Sequence, residues 1–292
     1  MTMRSAALGQ NFLRNRQIAE QLAQLADGPQ DALCVDLGAG NGIITEACLR
    51  SGRSVLAIEK DSRLVATLRA KFEGEKRVTV VADDLAVTPI PSIPYVIAAN
   101  PPFNQSTLVV RRWMCTNEFL SAAMITQKPF AHKLAGEYGA TKLSIALAPV
   151  LSIKVPVELS TTDFRPRPQV PTAVLTVARR KKPPLSRAEL LTYWLFVNYL
   201  FERSQAIVSD ALRALQMPGV PQELWQRPVR DLSGRDALVL FDCVRRGGRT
   251  NISALEKFDR GLAEHRRMNL GPSATAGGRP HVARDPHPHK AR

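Results

Sequence analysis

The stretch LCVDLGAGNG, residues 33–42, joins a short apolar run to three glycines at alternate positions. The run Leu33–Leu37 is typical of a buried strand, and a helix is expected to begin near Ile43. Glycine accepts positive φ and lets a ligand approach the backbone closely, while the N-terminus of a helix favours a carboxylate or a phosphate. A plain tight turn has the same local pattern, so the neighbouring segments must decide.

The glycine spacing separates two cofactor classes. A dinucleotide site usually carries its third glycine one position later, where this chain has Ile43. Gly38, Gly40 and Gly42 therefore fit S-adenosylmethionine better than a nicotinamide or flavin cofactor. Glu59 ends the next apolar run, about twenty residues after the glycines, which is where an acid accepts hydrogen bonds from ribose hydroxyls in such folds.

Two aspartates close the third apolar run. One carboxylate at this position can accept a hydrogen bond from the adenine amino group of the cofactor. Neighbouring strand residues point to opposite faces of a sheet, so only one of the two can do so. We assign Asp83 to the cofactor and expect Asp84 to cap a helix or face solvent, although it borders the same site.

A second motif, Asn100-Pro101-Pro102-Phe103, follows the apolar run Tyr95–Ala99. The prolines stiffen the chain and remove backbone donors, so the loop presents oxygen acceptors. The side-chain oxygen of Asn100 and the carbonyl of Pro101 can each take one N–H of an aryl amine, and Phe103 offers a stacking face. A rigid turn with a core phenylalanine is the alternative reading of these four residues.

Apolar runs alternate with amphipathic stretches up to about residue 180, which indicates a βα-repeating unit. We expect an α/β fold with a mostly parallel seven-stranded sheet and an antiparallel edge hairpin. This architecture resembles that of Rossmann-like methyltransferases. The predicted strands are 32–37, 54–59, 77–82, 95–99, 119–126, 150–157 and 172–178, and the predicted helices include 14–26, 62–72, 107–115 and 128–135.

The pattern changes at the basic, proline-containing stretch 179–184, which predicts a domain boundary. We expect a catalytic domain over 1–180 and a small all-helical RNA-binding domain over 181–246. Its predicted helices are 187–202, 205–216 and 235–246. The basic tail 247–292 has few β-branched and aromatic residues and is expected to be mostly disordered.

The charge balance points to a polyanionic partner. The chain has 292 residues, with 40 Lys and Arg against 26 Asp and Glu and a net charge of +14. Nucleic acid is the expected partner, with an inert basic surface as the alternative. Four cysteines without Cys-x-x-Cys spacing predict buried free thiols in a reducing cytoplasm. The sequence predicts no metal site, no membrane segment and a monomer.

From Leu8 to about Ala178 the chain resembles the ribosomal RNA adenine-N6 methyltransferases, the family that includes the Erm macrolide-resistance enzymes and KsgA. Matching segments occur in order along the catalytic domain. The motif Asn100-Pro101-Pro102-Phe103, called the clamp below, departs from the family's commonest form, Asn-Ile/Leu-Pro-Tyr, by having Pro101 and Phe103. Phenylalanine keeps the stacking face and lacks the phenol hydroxyl. The matching segments are 8–13, 36–42, 58–61, Asp83, 100–103, 138–139, 143–144 and 164–170.

The resemblance implies methyl transfer from S-adenosylmethionine to N6 of an unpaired ribosomal adenine. It adds Gln10, Asn11, Leu13 and Lys60 to the expected cofactor site, and Asn100 would border both cofactor and acceptor. The compact helical region and the Arg-containing tail are most like actinobacterial Erm enzymes, which implies 23S RNA and resistance to macrolide, lincosamide and streptogramin B antibiotics. KsgA-type small-subunit methylation, a DNA or protein amino-methyltransferase and a nonenzymatic RNA-binding factor remain alternatives.

Basic residues near the motifs are candidates for phosphate contacts with RNA. Trp113, in a helix of apolar periodicity, is expected to be a core residue and not a stacking platform. The candidates are Arg111, Arg112, Lys128, Lys133, Arg165, Arg167, Arg179, Arg180, Lys181 and Lys182.

Overall fold

The computed structural model describes residues 11–269, with side chains through residue 260. Its centre is a seven-stranded sheet in which four neighbouring pairs are parallel and the last two pairs are antiparallel. The strands are β2 (Leu33–Leu37), β3 (Val55–Glu59), β4 (Val78–Ala82), β5 (Tyr95–Ala99), β6 (Phe119–Gln127), β7 (Leu151–Leu159) and β9 (Thr172–Arg179), in the order β4-β3-β2-β5-β6-β9-β7.

Helices cover both faces of this sheet, because residues along the central strands alternate between two apolar cores. Cys34 and Val96 face one core, whereas Val35 and Ile97 face the other. The helices are α1 (Arg16–Leu25), α2 (Ile43–Arg50) and α3 (Ser62–Lys71) toward the first face, and α4 (Ser106–Trp113) and α5 (Lys128–Ala135) toward the second.

A two-stranded sheet and one short helix were not expected from the sequence. β1 (Phe12–Leu13) pairs antiparallel with β8 (Phe164–Arg165), which ties the N-terminal segment to the chain before β9. α6 (Lys142–Leu147) begins with a capping box formed by Thr141 and Ser144. Its Ile145 side chain packs into the core of the helical region that follows β9.

The helical region comprises α7 (Arg187–Phe201), α8 (Val208–Ala211), α9 (Gln222–Trp225), α10 (Gly234–Arg246) and α11 (Arg249–Asn269). Ser186 and Ser233 each cap a helix through a capping box, as the predicted N-termini require. The α/β class, the mostly parallel seven-stranded sheet with its antiparallel edge pair and the helical C-terminal region are thus confirmed. Within residues 11–269, no helix has the length and apolar character that crossing a membrane requires.

One helix prediction in this region was wrong. The predicted helix 205–216 is reduced to α8, because Ile207 is extended and forms a β-bridge with Pro228. The predicted tail contains α11, in which Leu255 is fully buried and Phe258 contacts Tyr199 edge-on. Residues 270–292 lie outside the described part of the chain.

Candidate methyltransferase site at the carboxyl edge of the sheet

A cavity of about 860 Å³ opens at the carboxyl edge of the parallel strands. Ligands bind at this edge in open α/β sheets, because the loops diverge where the strand order reverses, here between β2 and β5, and leave a crevice. The loops after β2, β3, β4 and β5 all contribute to its walls, as does the N-terminal segment that contains β1. The cavity therefore brings together the glycine turn, Glu59, the two aspartates and the proline clamp.

The glycine turn lies between β2 and α2 with Gly38, Gly40 and Gly42 at φ values of 74°, 59° and 76°. A side chain is disfavoured at these φ values, and a Cβ on Gly40 would lie 3.1 Å from the Phe12 ring. A Cβ on Gly42 would collide with Leu68. The glycines are therefore required by backbone conformation and by close packing, and they leave the backbone open to the cavity.

Glu59 ends β3 and is 5% exposed. Its Oε2 accepts a hydrogen bond from Gly40 N at 2.9 Å, and its Oε1 accepts from Lys60 N at 2.8 Å and from Asp61 N at 2.9 Å. These backbone donors fix the carboxylate against the glycine turn, and a carboxylate retains further acceptor capacity for ribose hydroxyls. The side chain thus both shapes the turn and faces the cavity.

The two aspartates after β4 make different contacts. Asp83 lines the cavity, and its carboxylate accepts hydrogen bonds from Asp84 N at 2.8 Å and Thr88 Oγ1 at 3.0 Å. Asp84 accepts from Ala86 N at 2.9 Å and pairs with the exposed Lys60 ammonium at 2.7 Å, which holds the pKa of Asp84 below its usual range. Asp84 and Lys60 therefore form a salt bridge at the rim of the cavity.

A fully buried carboxyl group lies directly before the glycine turn. Asp36 Oδ2 accepts a hydrogen bond from Thr45 Oγ1 at 2.7 Å, while its buried Oδ1 has no partner within the described chain. Burial, to which the nearby charge of Glu59 adds, raises the pKa of Asp36 to about 7. Neither the burial nor the shift was anticipated from the sequence.

The clamp follows β5. Asn100 Nδ2 donates a hydrogen bond to the Asn11 carbonyl at 2.7 Å, which orients the amide and leaves its buried Oδ1 without a partner among residues 11–269. Such an orphaned buried acceptor is costly unless a ligand satisfies it. Pro101 is buried, and Phe103 is half-buried against the core beneath α1. The clamp therefore presents an acceptor beside an aromatic ring.

The N-terminal segment forms one wall of the cavity. Asn11, Phe12 and Leu13 line it, and Leu13 is also a buried core residue. Phe12 was not among the predicted site residues, although the glycines opposite it leave room for a ring. Gln10 lies outside the described residues.

The basic candidates are distributed over both edges of the sheet. Lys128 begins α5 at the carboxyl edge and pairs with Glu158 at 2.8 Å, and Arg165 and Arg167 are exposed beside β8. Because β9 runs antiparallel to β6, it ends at the opposite edge of the sheet, and the basic stretch from Arg179 onward begins there. The exposed candidates are Arg111, Lys133, Arg165, Arg167, Arg180, Lys181 and Lys182.

Three of the basic candidates hold carbonyl groups of the protein itself, and one of them is the exposed Arg180, whose Nε donates to the Ala148 carbonyl at 2.8 Å. Arg112 Nη2 donates to the Thr88 carbonyl at 2.6 Å, and Arg179 Nε donates to the Phe119 carbonyl at 3.0 Å. Next to Arg112, the fully buried Trp113 donates from Nε1 to the Leu85 carbonyl at 2.9 Å, which agrees with its predicted core role. Arg112 and Trp113 thus anchor the loop that carries Asp83.

The prediction that all four cysteines are buried was wrong for one of them. Cys34, Cys48 and Cys243 are buried free cysteines, whereas Cys115 is exposed after α4. Among residues 11–269 no group of three His, Cys, Asp or Glu side chains comes together as a metal-ligand set.

The residues present fit S-adenosylmethionine: the cavity has an open glycine backbone, a fixed buried acid after β3, an aspartate after β4 and an orphaned acceptor after β5. Together with the seven-stranded sheet, they define a Rossmann-like S-adenosylmethionine-dependent methyltransferase. The family model for ribosomal RNA adenine dimethylases matches residues 2–233. The chain belongs to that family, which confirms the resemblance seen in the sequence.

Individual relatives support the same assignment. The chain is 31% identical over 215 residues to the rRNA adenine N-6-methyltransferase of Streptomyces fradiae, covering 73% of this chain and 67% of that protein. It is 29% identical to the mycinamicin-resistance protein MyrB of Micromonospora griseorubida, covering 76% and 71%. For three other actinobacterial relatives, the match spans between 51% and 59% of their length.

Solved structures agree in fold. The 23S rRNA methyltransferase ErmE superimposes with a TM-score of 0.73 at 26% identity, covering 80% of this chain and 99% of that chain. A dimethyladenosine transferase from Plasmodium falciparum gives 0.68 at 18% identity, covering 81% and 98%. The similarity therefore includes the helical C-terminal region as well as the sheet.

Proposed function

We propose that this protein uses S-adenosylmethionine to methylate N6 of a specific unpaired adenine in 23S ribosomal RNA, once or twice, and thereby confers resistance to macrolide, lincosamide and streptogramin B antibiotics. The observation that carries the proposal is the buried, unpartnered Oδ1 of Asn100 at the edge of the cavity. An exocyclic amino group supplies the donor that this oxygen lacks.

The residues of the site have separable tasks. Gly38 and Gly40 give the cofactor access to the backbone, Glu59 receives its ribose and Asp83 its adenine amino group. Asn11, Leu13, Lys60 and Asp84 border the same cavity. When bound, S-adenosylmethionine supplies an electrophilic methyl group on a positively charged sulfur, which the target amine takes in a direct displacement.

The clamp prepares the adenine amine for this reaction. Asn100 Oδ1 and the Pro101 carbonyl accept its two N–H groups, which turns the nitrogen lone pair out of the base plane, while Phe103 stacks on the base. No group within residues 11–269 donates to the Pro101 carbonyl, whereas the Pro102 carbonyl already accepts from Gln105 N. Positioning dominates this catalysis, and the adenine must be unpaired or flipped to reach the loop.

The choice of 23S RNA is supported by the relatives. MyrB is named a mycinamicin-resistance protein, and ErmE is a 23S rRNA methyltransferase. A second candidate is small-subunit RNA, because a ribosomal RNA small subunit methyltransferase A of Sphingopyxis alaskensis is 29% identical over 194 residues. The exposed basic side chains at the carboxyl edge, Lys133, Arg165 and Arg167, suit either RNA in a cytoplasmic, monomeric enzyme.

Tritium transfer from labelled S-adenosylmethionine to naked 23S RNA and to small-subunit particles tests the proposal directly. We expect one adenine of 23S RNA to be labelled, and mapping of N6-methyladenine would identify it. Labelling of small-subunit particles alone would favour the second candidate. Labelling of DNA or protein in preference to RNA, or no cofactor binding in calorimetry, would refute the RNA methyltransferase.

A further inference from the structure

We infer that Tyr138, stacked on His132, binds a second unpaired base of the RNA, close to the adenine held by the clamp. The inference rests on the proposed RNA substrate. The two ring centroids lie 4.5 Å apart with their planes inclined by 14°. His132 covers one face of the Tyr138 ring, and the residue as a whole is 52% exposed. An exposed, supported aromatic face is the surface on which RNA-binding proteins stack unpaired bases.

The stacked pair of Tyr138 and His132, called the platform below, is held in place by the local backbone. Helix α5 ends at Gly136 with φ of 83°, and Glu137 N donates to the His132 carbonyl at 2.9 Å, which folds the chain back over the helix. The Glu137 carboxylate bonds His132 Nδ1 from the same turn. Two residues beyond Tyr138, Ala140 N bonds the carbonyl of Arg230 in the helical region. The ring is thus presented by an anchored loop.

Strand register places the platform at the same edge as the clamp. Ala99 of β5, which directly precedes the clamp, pairs with Met124 of β6. Two residues further along β6, Thr126 pairs with Ala173 of β9, and Ala173 also pairs with Glu158 of β7. Glu158 therefore lies near the level of the clamp along the strand direction. Glu158 Oε1 is 3.6 Å from His132 Nε2. Because β6 and β9 lie between β5 and β7, the clamp and Glu158 are three strand spacings apart, roughly 14 Å. The platform lies beyond the acceptor side of the cavity, away from the cofactor loops.

The charges around the platform select a base and not a phosphate. Glu137 and Glu158 both flank His132, and the ammonium of Lys128 is paired with Glu158 at 2.8 Å. Lys133 is exposed next to His132 along the helix. The two carboxylates offset the ammonium groups of Lys128 and Lys133, so the platform has no net positive charge to hold a phosphate, whereas the face of a neutral base stacks on tyrosine without regard to charge. The ligand is therefore a nucleobase a few nucleotides from the target.

The test compares Tyr138→Ala with Tyr138→Phe, which keeps the stacking face. Ile93→Ala is the matched control, because Ile93 is also exposed but lies just before β5 at the opposite edge. For each variant, we would measure KM for naked 23S RNA, kcat, the Kd for S-adenosylmethionine, and the Kd for the same RNA by filter binding at several salt concentrations. Thermal melting checks that the variants are folded.

We expect Tyr138→Ala to raise both KM and Kd for RNA by about 5- to 100-fold, the loss of one stacked base, with the cofactor Kd and the salt slope unchanged. Tyr138→Phe and Ile93→Ala should stay within about twofold of wild type. Unchanged RNA binding in Tyr138→Ala, an equal loss in Tyr138→Phe, or a smaller salt slope would overturn the platform. Absence of methyl transfer by wild type would refute the proposed function instead, while filter binding still reports on the platform.

Discussion

The site at the carboxyl edge of the sheet has a cofactor half and an acceptor half, which differ in whether their polar groups already have hydrogen-bond partners. On the cofactor side, Glu59 and Asp83 already accept hydrogen bonds from neighbouring protein groups. On the acceptor side, Asn100 Oδ1 is buried without a partner and Tyr138 is exposed. The cofactor half is prearranged by its own backbone, whereas we expect the acceptor half to be completed only when the proposed RNA substrate binds. Substitutions in the two halves should therefore separate cofactor binding from methyl transfer.

The largest effect is expected for Asn100→Ala. Removing the orphaned acceptor should lower kcat for RNA methylation by about 10²- to 10³-fold, the cost of losing one preorganised hydrogen-bonding group at a reacting centre. The Kd for S-adenosylmethionine, measured by calorimetry, should change less than about threefold. Asn104→Ala, an exposed asparagine in the same loop, is the matched control. Near wild-type turnover by Asn100→Ala would sink the clamp assignment.

The next effect belongs to the cofactor half. Glu59→Ala removes the carboxylate that holds Gly40 N and faces the ribose position, so the Kd for S-adenosylmethionine should rise by about 10- to 100-fold, as expected for a loss of 1.5–3 kcal/mol in a charged hydrogen bond. RNA affinity in filter binding should be unaffected. Glu73→Ala, at an exposed position after α3, serves as control. An unchanged cofactor Kd would remove Glu59 from the site.

A smaller effect should distinguish two neighbouring arginines. Arg112→Met removes the donor that anchors the Thr88 carbonyl and loosens the loop of Asp83, which should raise the cofactor Kd by about 3- to 10-fold. Arg111→Met, on the exposed side of the same helix, should leave the cofactor Kd unchanged. If Arg112→Met instead weakened only RNA binding, Arg112 would belong to the acceptor half.

The last prediction concerns the pH dependence of stability. Because burial raises the pKa of Asp36 to about 7, the folded state holds its proton more tightly than the unfolded state does. This contribution to stability is present below about pH 4 and is lost as the pH rises toward 7, with a slope on the order of 1 kcal/mol per pH unit at most. Asp36→Asn should flatten that part of the curve of unfolding free energy against pH, measured in urea. An identical curve for both proteins would contradict the shift.

Much of the fold could be predicted because its signals are local. The bounds of Tyr95–Ala99 and Lys128–Ala135 agree with the predicted ones, since a buried apolar run and a proline near the first helical position are visible in the chain itself. The segment 205–216 has equally helical spacing, but the bridge between Ile207 and Pro228 competes for its backbone. Such pairing depends on a partner distant in sequence and leaves no local pattern.

The site shows the same division. Residue type and position predicted which side chains meet at the cavity, because the ends of parallel strands lie along one edge. They did not predict that Arg112 and Arg179 bind carbonyl groups, since a basic residue looks alike in sequence whether its partner is a phosphate or the protein's own backbone. Exposure and partners had to come from the structure.

The sequence by itself determined the strand-turn-helix unit, the acid after β3 and the proline clamp, because backbone conformation and apolar periodicity are properties of neighbouring residues. Only the tertiary structure decided that Asn100 Oδ1 is left without a partner, that Asp36 is buried to the point of holding its proton near pH 7, and that Tyr138 lies on His132. Those properties depend on which surfaces exclude water, and that is settled only when distant segments pack together.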